Sequence, residues 1–243
     1  MTYRGLSPRT TLIRWGLFAV AVGIVLGTTM PFAIDGLLRL AGSAPERLPW
    51  VATRIVAFLS YFAIAGSVIY GLLLSTKILD AIAHRPVTFA LHQDLAAVGL
   101  GLAGIHVVLL GLDATQPLGF AEMLVPFASP YRPLWVGLGQ VALYLVGIVT
   151  GSFYVRRRIG QRTWRLLHYV TVLAFAFTTA HGIMSGTDTT APWAWWVYVM
   201  STTIVVFLTV YRIAEAIIVR RERRGRPAVG GLGPLELRSP ARS

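Results

Sequence analysis

Long apolar runs alternate along this chain with short segments that hold most of its charge. Six runs, near 15–34, 51–75, 93–112, 134–154, 166–184 and 195–219, reach the roughly 20 residues that a helix needs to cross a bilayer. The pattern predicts an all-α, polytopic membrane protein: a six-transmembrane-helix bundle over 15–219, between an N-terminal segment 1–14 and a tail 220–243. The first run follows Arg4, Arg9 and Arg14, as the apolar part of a signal peptide would. Its run is about 20 residues and no clear small-x-small cleavage site follows, so it reads as a retained helix.

Charge orients the bundle. With the N-terminus inside, the inner segments are 1–14, 76–92, 155–165 and 220–243. Of 22 Lys and Arg, four (Arg39, Arg47, Arg54 and Arg132) fall nearest the outer face, leaving 22 − 4 = 18 inside. Arg156, Arg157, Arg158, Arg162 and Arg165 crowd one short connection, where the positive-inside bias is most reliable. Both termini are therefore expected to be cytoplasmic, in a multi-pass protein of the bacterial plasma membrane. The tail opens on Arg220, Arg221, Arg223, Arg224 and Arg226 and continues in Gly, Pro and Ser with no apolar period. It is expected to be a disordered, solvated end near anionic headgroups. The longest outer connection, 113–133, contains an apolar piece from Phe120 to Phe127 broken by Glu122 and Pro126. It suits either a short interfacial or re-entrant cap over the outer face, or a plain loop.

Composition agrees with the pattern. Charged residues make up 13% of the chain, against about 25% in soluble domains, and mean hydropathy is +0.65. A net charge of +12 could suit nucleic acid, but its distribution follows membrane orientation, so the expected partner is the lipid bilayer and not nucleic acid. Having no cysteine rules out a disulfide, an iron–sulfur cluster, a thiolate-ligated heme and a cysteine zinc site. At 243 residues one compact helical bundle is expected, without a second large domain.

Candidate chemistry lies in four histidines. His92 and His106 are fourteen residues apart on the third helix, and His168 and His181 thirteen apart on the fifth. An intramembrane histidine is costly and by default suggests function. These spacings span about 21 and 19.5 Å along a helix, so the pairs can form two levels. Both helices run outward, which puts His92 with His168 inside and His106 with His181 outside. The arrangement expected is two stacked bis-histidine b hemes, with all four histidines as iron ligands. His92, Ala96, Gly99, Ala103 and His106 form one helical stripe, and Gly99 and Ala103 would leave a recess for a porphyrin face. Small residues also serve close helix packing. Fourteen steps return to within about 40° of the starting face, but thirteen miss it by about 140°. The fifth helix must therefore bend or change pitch, or present its histidines from different sides. Arg54 and Arg132 outside, and Arg85, Arg162, Trp164 and Arg165 inside, are candidates for the heme carboxylates, with interfacial anchoring as the alternative. Phe175 and Phe177 lie between the levels, for packing or an electron path, and His84 reads as a solvated loop residue.

The runs His92 to Asp113 (HQDLAAVGLGLAGIHVVLLGLD) and Arg162 to Asp188 (RTWRLLHYVTVLAFAFTTAHGIMSGTD) resemble the ferric-reductase-like transmembrane domain family. That family includes the membrane cores of ferric reductases and NADPH oxidases, and the heme subunit of a bacterial methionine-sulfoxide reductase. The resemblance covers the four central helices. Its oxidase branch has ligand spacings of fourteen and thirteen at the positions of His92, His106, His168 and His181, so the angular mismatch is tolerated there. It implies an electron-transfer subunit of an oxidoreductase. The flavin and nicotinamide domains that full-length members append are not expected in the short stretch after the sixth helix, where no Gly-rich fingerprint follows a strand.

The function expected is a b-type cytochrome subunit carrying single electrons across the membrane. Its electron donor or acceptor would be a cytosolic flavin reductase, an extracytoplasmic flavoprotein or a membrane quinol. A quinol-oxidising cytochrome similar to the b561 type is the alternative within this class. From other classes, a metal or proton transporter would use the histidines as transient ligands but would usually need carboxylates at membrane depth. An intramembrane serine protease would use Ser185 of the GIMSG run, with a histidine on another helix facing it.

Overall fold

The computed structural model describes residues 48–76, 84–113 and 118–225, with the single positions 39, 42 and 78. The expected first span, segment 1–14 and residues 226–243 lie outside the described residues. Among those described, every regular element is helical. Five helices are long and apolar enough to cross a membrane: α1 (Leu48–Thr76), α2 (Arg85–Gly111), α4 (Pro133–Ile159), α5 (Gln161–Ser185) and α6 (Pro192–Gly225, apolar as far as Val219). A five-residue helix, α3 (Phe120–Leu124), lies between α2 and α4, so the apolar piece of the long connection contains a short helix.

The helix ends follow local chemistry. Pro86 and Pro133 sit in the first turns of α2 and α4, where a missing N–H breaks no intrahelical bond. Gly160 is the single residue between α4 and α5, at φ 83°, a conformation open to glycine at no steric cost. The arginine cluster expected in a loop over 155–165 is therefore carried almost entirely on helix. Arg156, Arg157 and Arg158 form the last turn of α4, where cations complement the helix dipole, and Arg162 and Arg165 stand at the start of α5. The reason is length: helices of 27 and 25 residues outrun the hydrocarbon core, and their charged ends project beyond it. For the same reason α6 continues past Val219 into the start of the expected tail.

Two helix hairpins, α1–α2 and α4–α5, make the most extensive contacts, and α6 packs chiefly on α1. The first hairpin is antiparallel, held by three α1 hydroxyls spaced seven residues apart. Thr53 donates to the carbonyl of His106 (3.1 Å), Ser60 to that of Gly99 (2.8 Å) and Ser67 to that of His92 (2.9 Å). All three hydroxyl residues are buried. Lipid is as apolar as the side chains, so helix association depends on such bonds and on close packing. A core of Tyr61, Ala65 and Leu72 from α1, Phe175 from α5, and Tyr198, Val205 and Leu208 from α6 joins the hairpins to α6. At its centre the Tyr61 hydroxyl meets Ser201 Oγ (2.7 Å) and Thr179 Oγ1 (3.3 Å). By contrast, α2 and α5 hardly touch, and the candidate site lies across the gap between them.

Candidate functional site

Four histidine rings face one another across that gap, two from each helix. His92 and His168 lie with ring centroids 5.9 Å apart and planes at 79°. His106 and His181 lie 6.4 Å apart at 72°. The first pair is on the side of the arginine cluster, here called the basic end, and the second is toward the far end. α5 runs unbroken through both of its histidines. Between and beside them Thr171, Thr178 and Thr179 bond back to carbonyls three or four residues earlier, a pattern that bends helices.

Three of the rings are held from behind. Nδ1 of His92 donates to the carbonyl of Ser67 (2.7 Å), Nδ1 of His106 to that of Thr53 (3.1 Å), and Nδ1 of His181 to that of Trp135 (3.0 Å). The hydroxyls of Ser67 and Thr53 also lie 3.0 and 2.8 Å from the same ring nitrogens. A carbonyl can only accept, so the proton sits on Nδ1 and the Nε2 lone pair is left toward the gap. Metal-binding imidazoles are commonly oriented in this way. Two of these rings lie over a glycine four residues after the accepting carbonyl, whereas behind His106 that residue is Ala57. Behind His92 that residue is Gly71, whose added Cβ would stand 3.0 Å from Cε1. Behind His181 it is Gly139, whose added Cβ would stand 2.5 Å from Nδ1 and 2.6 Å from Cγ. His168 differs: its ring has no hydrogen bond to a described residue, and Trp164 stacks on it at 5.1 Å and 24°.

The separations can be tested against a metal bridge. Two metal–nitrogen bonds of about 2 Å, plus about 1.1 Å from each nitrogen to its ring centre, place centroids about 6.2 Å apart. The observed 5.9 and 6.4 Å bracket that value. Each pair supplies two ligands, and among the described residues no three His, Asp or Glu side chains group to hold a metal. A bare zinc site needs three or four protein ligands. Two opposed imidazoles suit an iron whose other four ligands arrive with a macrocycle. Heme therefore fits the donor set. The far pair opens on a mostly apolar cavity lined by Ala103, Val107, Val136, Leu143, Val146 and Thr178 among others. Near the basic end the buried Trp164 Nε1 has no hydrogen-bond partner among the described residues, a donor suited to a carboxylate.

The remaining sequence candidates separate. Ala103 lines the cavity, whereas Gly99 is buried against α1, where an added Cβ would stand 2.7 Å from Cγ1 of Ile64. Its missing side chain serves helix contact and not a recess in the gap, because the stripe twists toward α1 at that level. Arg54 lines the far cavity and forms an ion pair with Asp188, its Nε 2.6 Å from Oδ2. Arg132 is exposed, at φ 44° before α4, with its guanidinium on the carbonyl of Met184. Arg165 is exposed at the start of α5, away from the far cavity. His84 is exposed and caps α2, and Phe175 belongs to the core. The buried Ser185 Oγ has no hydrogen-bond partner among the described residues, so no histidine stands as its base.

Spacing along the chain singled out the four ligand candidates but missed the residues that seat them. A signal was there to find: Thr53, Ser60 and Ser67 recur every seven residues in an otherwise apolar run. Gly139 and Gly71 carry none, since glycines are scattered through every span. The chain matches no protein-family model, no curated protein sequence and no solved structure.

Proposed function

We propose that the chain is a b-type cytochrome membrane subunit, a member of the ferric-reductase-like group. It would carry single electrons across a bacterial plasma membrane through two bis-histidine hemes. The reading includes a sixth transmembrane helix over 15–34 and both termini on the cytoplasmic side, so the basic end is inner and the far end outer. The observation that carries it is the pairing of four intramembrane histidines at two levels with metal-bridging separations of 5.9 and 6.4 Å.

His92 and His168 would hold the inner group, and His106 and His181 the outer. When bound, heme supplies the one-electron change between ferric and ferrous iron. The chain's own part is geometric and electrostatic. The carbonyls of Ser67, Thr53 and Trp135 keep Nε2 free of a proton and aimed at the gap. Largely apolar side chains line the outer level, and two imidazole ligands would leave no iron position for substrate, which suits electron transfer. The unpartnered Trp164 Nε1 would serve as donor to an inner heme carboxylate, and Ser185 Oγ to an outer one. Charge would pass to or from a separate redox partner.

The test is a dithionite-reduced minus oxidised absorbance spectrum of the purified full chain, with heme quantified per chain. Two hemes with a b-type alpha band are expected. A folded, heme-supplied preparation that binds none would refute the proposal.

A further inference from the structure

A cation on α6 stands at the level of the inner histidine pair. From Thr203 to Val219 every residue of α6 is exposed except Val205, Leu208, Thr209 and Arg212. Val205 and Leu208 belong to the core that joins α6 to α1 and α5, and Arg212 follows Leu208 by one turn on the same stripe. Arg212 lies seven residues (219 − 212) before the end of the apolar span, and His168 seven residues (168 − 161) after the start of α5. At 1.5 Å per residue both stand about 10.5 Å along their helices from the basic end. The guanidinium lies 5.4 Å over the ring of Tyr169, the chain neighbour of His168. Its charge is near enough to act on His168 itself. A charged group turned toward the bundle within a span is expensive to keep and by default suggests function.

The two levels differ in their charged surroundings. Arg54, which lines the far cavity, is neutralised by Asp188. No carboxylate among the described residues pairs with Arg212, and Glu215, three residues further along α6, is exposed. The His168 ring also lacks the carbonyl contact that His92, His106 and His181 make. We propose that Arg212 holds up the reduction potential of the inner level, acting through space on the iron that His92 and His168 would bind. Reduction from ferric to ferrous adds one electron and lowers the charge at the iron by one. A nearby cation stabilises that product more than the reactant, so the potential is higher with Arg212 than without it. A unit charge about 10 Å away, at an effective dielectric of about 20, shifts such an equilibrium about tenfold. For one electron that is about 59 mV. This role rests on the cytochrome reading, since without heme there is no potential to set.

The experiment is a spectroscopic redox titration of the full chain in two backgrounds: His106→Ala, which should retain the inner heme alone, and His92→Ala, which should retain the outer alone. Each background receives Arg212→Gln, Arg212→Met and Arg212→Lys in turn, with heme per chain and helix content measured on every preparation. In the inner-only background both neutral variants should lower the midpoint by about 59 mV, the tenfold shift, while Arg212→Lys should keep it near the parent value. In the outer-only background all three should leave the midpoint unchanged. An unmoved inner midpoint in a heme-loaded neutral variant would overturn the proposal and leave the cytochrome reading standing. So would a shift of equal size at both levels, or one that Arg212→Lys does not rescue. If both neutral variants fold but lose the inner heme, the cation is a requirement for loading and the potential-setting role is overturned. A wild-type chain that takes up no heme would refute both this role and the cytochrome reading.

Discussion

A single methyl group at Gly139 tests how the His181 ring is seated. In Gly139→Ala the new Cβ would lie 2.5 Å from Nδ1, 2.6 Å from Cγ and 2.9 Å from Cε1 of His181. Ordinary van der Waals contact begins near 3.4 Å, so the ring must retreat by about 1 Å from α4. The carbonyl that accepts from Nδ1 belongs to Trp135, one turn earlier on the same face, so this retreat also stretches a 3.0 Å hydrogen bond. Overpacking costs about 1–3 kcal/mol and a lost buried bond a similar amount. Ligand geometry is more demanding still, since a productive site tolerates about 0.5 Å of displacement. Heme bound per chain should fall from about two to about one, read as pyridine hemochrome against protein, with helix content by circular dichroism unchanged. Two substitutions grade the effect. Gly71→Ala meets His92 Cε1 at 3.0 Å and Nδ1 at 3.2 Å, a clash a small shift relieves, and should cause partial loss. Gly147→Ala, on the same helix as Gly139 with only Leu100 at 4.0 Å, should be silent. A Gly139→Ala protein with two hemes and an unaltered spectrum would refute both the seating argument and the heme level built on it.

Other expectations follow from the same contacts. His92→Ala and His168→Ala should each remove one heme, and the double variant should remove no more. His106→Ala and His181→Ala should behave alike at the other level, while combining one variant from each pair should leave none. Heme counts that fall stepwise within a pair would show the pairing to be wrong. Thr53→Val and Ser67→Ala each delete a clasp between α1 and α2 but keep the backbone carbonyl that accepts from the histidine. Each should cost about 1 kcal/mol in reversible unfolding in detergent, with heme content retained, and heme loss in Ser67→Ala would mean that the hydroxyl is the true anchor. Asp188→Asn removes the partner of a half-buried Arg54 and should cost about 1–2 kcal/mol, whereas adding Arg54→Gln to it should cost little more. Additive losses in that double-mutant cycle would argue against a functional ion pair.

The sequence alone determined what depends on position along one helix. Runs of about twenty apolar residues define where helices cross, because backbone polar groups in lipid must be satisfied within the segment. The levels of His92, His106, His168 and His181 follow from the 1.5 Å rise and from chain direction, and the structure does bring those rings together two by two. What depends on rotation and register between helices was decided by tertiary structure. In a soluble helix the apolar stripe reveals the buried face, but here core and lipid faces are both apolar, so that signal is weak. Nothing in the sequence separates Gly99, pressed against Ile64, from Ala103, open to the cavity. Nor does it mark Gly139 beneath the His181 ring, or the amide of Gln140, whose nitrogen donates to two carbonyls of α3. Each is a contact between different helices, which periodicity along one helix does not fix.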